Sequence, residues 1–392
     1  MSVVKKINMP VMIIVVITGI FSCSLLKSGG ESALYPRTEL RGVWLRPPQN
    51  FREIPSILDK IKNAGFNAIF LETLYHGFVI YPGSNFLNRP EYGGHDVLQE
   101  FIKEAHARGM KVHCWTEVFY LQVDTKKYPQ FPRSVIFDEH PEWRLLTKNG
   151  ETSDVSEDAH IFGDPANPAL QSFLLEFYRD LIQRYNVDGI NIDYIRYPAG
   201  KYDTGYTEFA RKAFKNETGV DPLTFDSNSN PEMWMRWVRW RENRVTDFVS
   251  RLSDLIKHNK PQIVLSAAIF PGYYIERGRH FTFQDWAKWL EGNYVDAIIP
   301  MAYAPSLEGV RGEINSVIEK NKGKAFVLPV LAVPITKKDN YGGSDHPPIQ
   351  EQISMVRSMK LPGHTIFCYD WILQSASGFD AFKEVYSRRS EK

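Results

Sequence analysis

Four carboxylic acids lie near the ends of short runs that are rich in β-branched and aromatic residues. They are Glu72, Glu117, Asp193 and Asp370. An unpaired carboxylate in a buried strand is costly or takes up a proton, so each acid is either paired or presented to a substrate. Several acids at one rim repel one another and acquire different pKa values. Because glycoside hydrolysis requires one protonated and one ionised carboxyl, we predict catalytic roles for Asp193, Glu117 and Glu72.

The pairing of these acids stays open at the level of sequence. If Glu117 and Asp193 end neighbouring strands, their carboxyls can approach the roughly 5–5.5 Å of a retaining mechanism. Glu72 and Asp193, two strands apart, would instead suit the roughly 6.5–9.5 Å of an inverting one. A structural role is the alternative for each acid, either as the partner of Arg46, Arg196 or Asn191 or as a cap of the following helix.

Further polar and aromatic residues near the same run ends are candidate substrate contacts. Aromatic rings can stack on the apolar faces of sugars. Asn191 precedes Asp193 by two residues on the same strand face, and we expect it to orient that carboxylate through a hydrogen bond. The predicted substrate-binding residues are Trp44, Arg46, Tyr75, His76, Asn191, Arg196, Tyr303, Asp370 and Trp371.

The elements that must position these residues alternate between strand and helix patterns. Eight strand–helix units predict an α/β fold, a (β/α)8 TIM barrel, whose strand ends converge on one face. A doubly wound open sheet is the alternative, but no GxGxxG follows the first strand. The predicted strands are Arg41–Arg46, Ala68–Glu72, Lys111–Glu117, Gly189–Ile195, Val264–Phe270, Ala297–Tyr303, Ala325–Leu331 and Thr365–Trp371. The predicted helices are Glu53–Ala64, Asp96–Arg108, Pro168–Tyr185, Pro231–His258, Thr282–Leu290, Gly309–Lys320, Ile349–Ser358 and Gly378–Ser387.

Two long insertions interrupt this alternation. One follows the third strand, between Glu117 and Pro168, and the other follows the fourth, between Tyr202 and Pro231. Both positions lie at the carboxyl ends of strands, where barrels build their substrate sites. Within the second insertion, 226–230 (DSNSN) lacks the glycine and the terminal glutamate of a calcium loop, so we expect a polar surface turn.

The N-terminus carries a processing signal. Lys5 and Lys6 precede the apolar run Met9–Phe21, and Cys23 follows directly after the small residue Ser22, which resembles a bacterial lipoprotein signal. We predict a signal peptide over 1–23 with lipidation at Cys23, a tether over 24–38 and a barrel over 39–388. The chain would then be extracytoplasmic and touch a membrane only through its lipid. Plain secretion or an uncleaved anchor are the alternatives.

Composition excludes several other partners and cofactors. The chain has 47 basic and 46 acidic residues, a formal net charge of +1, which gives no electrostatic reason to expect nucleic acid. Cys114 and Cys368 each stand in an apolar run, and we expect two buried free thiols. Neither CxxC nor HExxH spacing occurs, so we expect no metal and no cofactor.

Several motifs together resemble the glycosyl-hydrolase-like ten family of bacterial barrels, many of them lipoproteins. The motifs are Arg41–Leu45 (RGVWL), Gly163–Pro168 (GDPANP), Tyr185–Tyr194 (YNVDGINIDY), Asp285–Trp286 (DW) and Val295–Tyr303 (VDAIIPMAY). The resemblance runs from about residue 39 to the C-terminus. It implies a TIM barrel related to the α-amylase-like glycosidases that acts on extracytoplasmic glycans, with cell-envelope polysaccharide as substrate class. It also implies that Asp193, at the end of strand four, is the catalytic carboxylate.

One departure from the α-amylase-like pattern concerns the general acid. Those enzymes carry it at the end of strand five, where Ser266–Pro271 (SAAIFP) holds no carboxylate and Glu276 follows only later. Glu117 resembles the acid that a subgroup of the family carries after strand three, so we prefer it as acid/base. The missing acid also leaves open a catalytically silent barrel that binds glycan. A metal-dependent hydrolase at the acid cluster is a third possibility.

Overall fold

The computed structural model describes residues 38–152, 159–199, 203–271, 282–335 and 346–387. All of them belong to one unit, Leu34–Lys392. The predicted signal peptide with Cys23, nearly all of the tether, and Glu276 lie outside the described residues. Within these ranges, no helix is both long and apolar enough to cross a bilayer.

The described residues form a closed barrel of eight parallel strands, as predicted. The first strand closes the ring, because Gly42 pairs with Ala68 of the second strand and Leu40 pairs with Gly363 of the last. Both faces of the sheet are covered, so the strands are almost continuously apolar. In chain order they are β1 Leu40–Leu45, β2 Ala68–Tyr75, β3 Lys111–Glu117, β4 Gly189–Asp193, β5 Val264–Ile269, β6 Ala297–Ala302, β7 in two segments, Phe326–Val327 and Val330–Ala332, and β8 Gly363–Phe367.

Helices surround the barrel because each buries one apolar stripe. In the first helix Ile54, Ile57, Leu58 and Ile61 recur every three or four residues and are all buried. The fourth starts with Pro168 after Asn167, whose side chain accepts the N–H groups of the first turn. The helices are α1 Ile54–Asn63, α2 Val97–Ala107, α3 Ile136–Glu139, α4 Pro168–Arg184, α5 Glu208–Thr218, α6 Pro231–Asn259, α7 Trp286–Glu291, α8 Leu307–Asn321, α9 Ile349–Ser358, α10 Tyr369–Gln374 and α11 Asp380–Ser387.

Most strand ends differ from the prediction by one to four residues, and two of these differences move an acid. β8 ends at Phe367, and Asp370 and Trp371 lie on α10. The prediction was wrong here because an apolar run this short fits a helix turn as well as a strand. β2 continues past Glu72 to Tyr75, with an irregular register just after the acid. Asp370 therefore does not end a strand, and Glu72 lies inside one.

The two insertions follow β3 and β4 as predicted. The first contains an antiparallel pair, Tyr120–Val123 with His160–Phe162, and the short helix α3. The second contains α5, which packs on α6 around a separate small core built from Phe214, Trp237 and Trp240. At the start of 226–230, the Asp226 carboxylate accepts backbone N–H groups within its own turn, the polar turn expected there. The expectation for the cysteines also holds, since Cys114 and Cys368 are free and buried.

Candidate active site

Glu117 and Asp193 lie directly opposite one another, in register, at the ends of β3 and β4. Backbones of paired strands are roughly 4.8 Å apart, and residues in register point to the same face of the sheet. Both side chains line one cavity of about 330 Å³ at this end of the barrel. Two acids that the sequence separates by 76 positions therefore face the same space.

Asp193 is held by two N–H donors. The indole Nε1 of Trp115 donates to its Oδ2 over 3.1 Å, and the backbone N–H of Tyr194 donates to its Oδ1 over 2.7 Å. Tyr194 reaches this position with a left-handed backbone, at φ 48°. Hydrogen bonds from N–H groups favour the ionised carboxylate, so the surroundings stabilise Asp193 as an anion.

Glu117 lies in contrasting surroundings, with only 3% of its surface exposed. Burial raises its pKa well above the usual value, and the neighbouring carboxylates of Glu72 and Asp193 raise it further. The backbone N–H of His76 donates to its Oε2 over 3.3 Å, again from a left-handed residue, at φ 51°. Glu117 therefore keeps its proton at pH values where an ordinary glutamate has lost it.

The His76 side chain is held in place by contacts with two tyrosines. Its ring stacks on Tyr75 at 3.5 Å between centroids, and its Nε2 shares a hydrogen bond of 2.7 Å with the Tyr120 hydroxyl. Burial lowers its pKa well below the usual value, so the ring is neutral. These ring contacts hold the residue whose backbone N–H donates to Glu117, and neither His76 nor Tyr75 lines the cavity.

Glu72 is enclosed between two arginines. Its oxygens lie 3.3 Å from Arg46 Nε and 3.8 Å from Arg89 Nη1, and its side chain is fully buried. Burial raises its pKa although both guanidinium groups act to lower it. Arg46 also lies 3.7 Å from the half-exposed carboxylate of Asp370. Neither acid lines the cavity, so the predicted catalytic role of Glu72 and the binding role of Asp370 receive no geometric support.

Seven of the predicted site residues line the cavity, and five do not. Asn191, one of the five, does not reach Asp193, because its amide donates to Ser266 Oγ on β5 over 3.1 Å. The predicted residues that line the cavity are Trp44, Arg46, Glu117, Asp193, Arg196, Tyr303 and Trp371. Those that do not line it are Glu72, Tyr75, His76, Asn191 and Asp370.

Several lining residues were missed by the sequence reasoning. Trp115 could have been found, since it lies two positions before Glu117 and strand alternation puts both on one face. Met301, the next-to-last residue of β6, lies two positions before Tyr303 and could have been found in the same way. Phe367 and His346 carried no such signal, because the end of β8 was misplaced and His346 precedes a helix in a loop.

The cavity walls combine the Asp193 carboxylate, the protonated carboxyl of Glu117 and the cationic guanidinium groups of Arg46 and Arg196. Burial raises the pKa of Tyr303 well above its usual value, so its hydroxyl keeps its proton beside Asp193. Among the described residues, no group of three or more His, Cys, Asp or Glu side chains has the geometry to hold a metal ion. The arrangement can donate a proton from one side and offer a carboxylate from the other.

Comparison with known families places this site in a glycosidase context. The profile of the family described as "Glycosyl hydrolase-like 10" matches residues 39–332, a range that contains every motif from which the resemblance was predicted. The matched range ends before β8, whereas the resemblance was expected to continue to the C-terminus.

Curated relatives carry glycosyl hydrolase names. The chain is 25% identical over 279 residues to "Glycosyl hydrolase DigH" of Escherichia coli K12, covering 63% of this chain and 57% of that protein. It is 21% identical over 299 residues to "Glycosyl hydrolase YngK" of Bacillus subtilis, covering 68% and 54%. The chain therefore spans little more than half the length of these relatives.

Two solved glycosidases share the barrel fold of this chain. The catalytic domain of a Paenibacillus polymyxa β-amylase superposes with a TM-score of 0.64 at 12% identity, covering 91% of this chain and all (100%) of that one. An α-L-fucosidase of Paenibacillus thiaminolyticus gives a TM-score of 0.62 at 16% identity, covering 89% and 49%. At such identities the likeness establishes the barrel fold and no more.

Proposed function

Because the chain belongs to the glycosyl hydrolase-like 10 family, we propose that it hydrolyses O-glycosidic bonds of a polysaccharide, with Glu117 and Asp193 as the two carboxyls. One observation carries the proposal. A buried acid with a raised pKa stands in register with a carboxylate that accepts two N–H hydrogen bonds. This is the split between a protonated and an ionised carboxyl that glycoside hydrolysis requires.

The proposed mechanism proceeds in two displacements. Glu117 gives its proton to the glycosidic oxygen while an Asp193 oxygen attacks the anomeric carbon. The C–O bond breaks, the leaving sugar departs as an alcohol, and a glycosyl ester forms on Asp193. The Glu117 carboxylate then takes a proton from water, whose oxygen attacks the anomeric carbon and releases Asp193. Tyr194 N–H and Trp115 Nε1–H hold the Asp193 carboxylate in place throughout.

A polysaccharide suits the walls of the cavity. Trp44, Trp115, Tyr303, Phe367 and Trp371 supply aromatic faces for sugar rings, and Arg46 and Arg196 supply hydrogen-bond donors. The relatives' names support a glycan substrate in general terms. A cell-envelope or other extracytoplasmic polysaccharide follows from the signal predicted before Cys23, whose lipidation is part of the same proposal.

The experiment measures reducing ends released from a polysaccharide panel that includes purified peptidoglycan, starch and β-linked N-acetylglucosamine oligomers. We expect the wild-type chain to hydrolyse at least one of them. Asp193→Asn should lower kcat by roughly 10⁴-fold, and Glu117→Gln by roughly 10²–10⁴-fold. The matched control is Asp254→Asn, an isosteric change at an exposed position of α6. Unchanged release by Asp193→Asn would overturn the assignment.

A second candidate function is that of a silent glycan-binding barrel. It is favoured by β5, Val264–Ile269, which carries no carboxylate at its end. Wild-type protein that retains a panel polysaccharide in a pull-down but releases no reducing ends would support this reading. Such a result would also reject the hydrolase proposal.

A further inference from the structure

A second cavity of about 790 Å³ lies beside the candidate active site. The two cavities share Met301, the next-to-last residue of β6, and Tyr303, just beyond the strand. Arg196 lines the first cavity, and its guanidinium lies 5.1 Å from the ring centroid of Phe270, which lines the second. The two spaces are therefore neighbours with common walls.

We propose that this second cavity is a further sugar-binding subsite, which takes neutral pyranose units of the glycan whose scissile bond lies between Glu117 and Asp193. The inference rests on the proposed function and extends it, because it predicts a substrate several sugars long. The occupant is the same chain of sugars, since it would pass from one cavity to the next across Met301 and Tyr303.

The chemistry of the walls suits an uncharged sugar. Phe270, Met301 and Tyr303 supply apolar and aromatic surface against which the faces of a pyranose ring can pack. Carbohydrate sites combine such surfaces with a few polar groups that fix orientation. Here the polar group is the carboxyl of Glu313, which lies on α8 and lines the cavity.

Glu313 can bind a hydroxyl in either protonation state. Its Oε2 accepts the backbone N–H of Ala304 over 3.2 Å, which fixes the carboxyl at the edge of the cavity. Burial raises its pKa to about 7, so neither form dominates strongly at neutral pH. An ionised carboxylate accepts from a sugar hydroxyl, and a protonated one also donates.

Two glycines one turn apart on α8 line the cavity. Gly309 has a packing reason, because a Cβ there would lie 2.7 Å from the Ala304 Cβ. Gly312 has none, since a Cβ would meet no atom within 4 Å, although glycine destabilises a helix interior. A sugar subsite would account for a glycine at position 312, because any side chain there would occupy the space that the sugar needs. A larger side chain at this position would enter the cavity without clashing with the protein.

The test uses oligomers of two to eight sugars, prepared from whichever panel polysaccharide the wild-type chain hydrolyses. With a further subsite, wild-type kcat/KM should rise at least tenfold from the shortest cleaved oligomer to the longest. Gly312→Leu should remove most of this rise and should melt no lower than wild type, because leucine is the better helix former. The matched control is Asn315→Leu, an exposed position of the same helix that does not line the cavity, and it should keep the rise.

Four outcomes separate this inference from the proposed function. Hydrolysis of no panel polysaccharide overturns the proposed function and the inference with it. Hydrolysis without a dependence on length, or a dependence that Gly312→Leu leaves intact, overturns the subsite alone. A rise lost equally in Gly312→Leu and Asn315→Leu also overturns it, because the effect would then belong to α8 and not to the cavity.

Discussion

Asp193 and Glu117 are chemically similar acids in adjacent positions, and their surroundings make them different. Asp193 is half-buried and accepts N–H groups from Trp115 and Tyr194, which favours its charge. Glu117 is almost fully buried, accepts one longer hydrogen bond from His76 and lies opposite another carboxylate. Burial and repulsion by like charges both favour its neutral form.

The raised pKa of Glu117 makes folding stability depend on pH. The unfolded glutamate loses its proton near its usual pKa of 4.5, whereas the folded one keeps it to higher pH. Between these two values the folded state binds more protons, so the free energy of unfolding falls as pH rises. Glutamine has no such proton to lose, so Glu117→Gln removes this fall in stability. We therefore expect the melting temperature of Glu117→Gln, relative to wild type, to rise by roughly 2 °C or more from pH 4 to pH 8.

Thermal unfolding by circular dichroism across that pH range checks the sign. Glu319→Gln, the same change at an exposed position of α8, is the matched control. A Glu117→Gln difference that is constant from pH 4 to pH 8 would show that Glu117 titrates normally in the folded protein.

The sequence could predict those residues whose position follows from strand alternation. Asp193 and Glu117 end their strands as expected, and their register was inferred from chain order. Asn191 lies on the predicted strand, but its amide donates to Ser266 on β5 and not to Asp193. The backbone N–H groups of His76 and Tyr194 donate to Glu117 and Asp193 from left-handed conformations. Such conformations of non-glycine residues are not revealed by composition or periodicity.

At the scale of elements, close approach of strands sets the register that brings the two acids together. Gly189 opens β4 beside His113 of β3, and a Cβ at Gly189 would lie 2.1 Å from the His113 Nδ1. A larger residue would force the two strands apart or shift one of them. Glycine at this position therefore keeps β3 and β4 in register up to the pair Glu117 and Asp193.

Element types were easier to predict than element ends. The strands β3 and β4 begin at the predicted residues, because a glycine or a charged residue marks each start. The end of β8 was predicted wrongly, since Tyr369–Gln374 is apolar enough to pass for strand yet buries Tyr369 and Ile372 as one helix face. That error placed Asp370 at the rim, whereas it lies half-exposed on α10 near Arg46.

For the whole molecule, the barrel was predictable because eight alternating units permit few other arrangements. β1 and β8 close the ring, and Arg357 on α9 holds the start of the barrel through two hydrogen bonds of 2.8 Å to the Glu39 carboxylate. The chain before this point is proposed to tether the barrel to a membrane. That proposal depends on the sequence pattern around Cys23 alone.

The lipid anchor is tested by cell fractionation of the full chain in a bacterial host. We expect the wild-type protein to sediment with membranes and to incorporate labelled palmitate, because a thiol at the end of such a signal is the acylation site. Cys23→Ala should lose the label and leave the membrane fraction. Equal membrane association of both proteins without label would indicate an uncleaved anchor, and release of both would indicate plain secretion.

The central claim is that Glu117 and Asp193 act together as one close pair of carboxyls. The most direct test follows the anomeric protons by NMR during the first minutes of hydrolysis, before the released sugar mutarotates. Because these acids are in register on paired strands roughly 4.8 Å apart, we expect their carboxyls to lie near the roughly 5–5.5 Å of a retaining pair, and the first product should keep the anomeric configuration of the substrate. An inverted first product would contradict the claim, because it requires carboxyls roughly 6.5–9.5 Å apart.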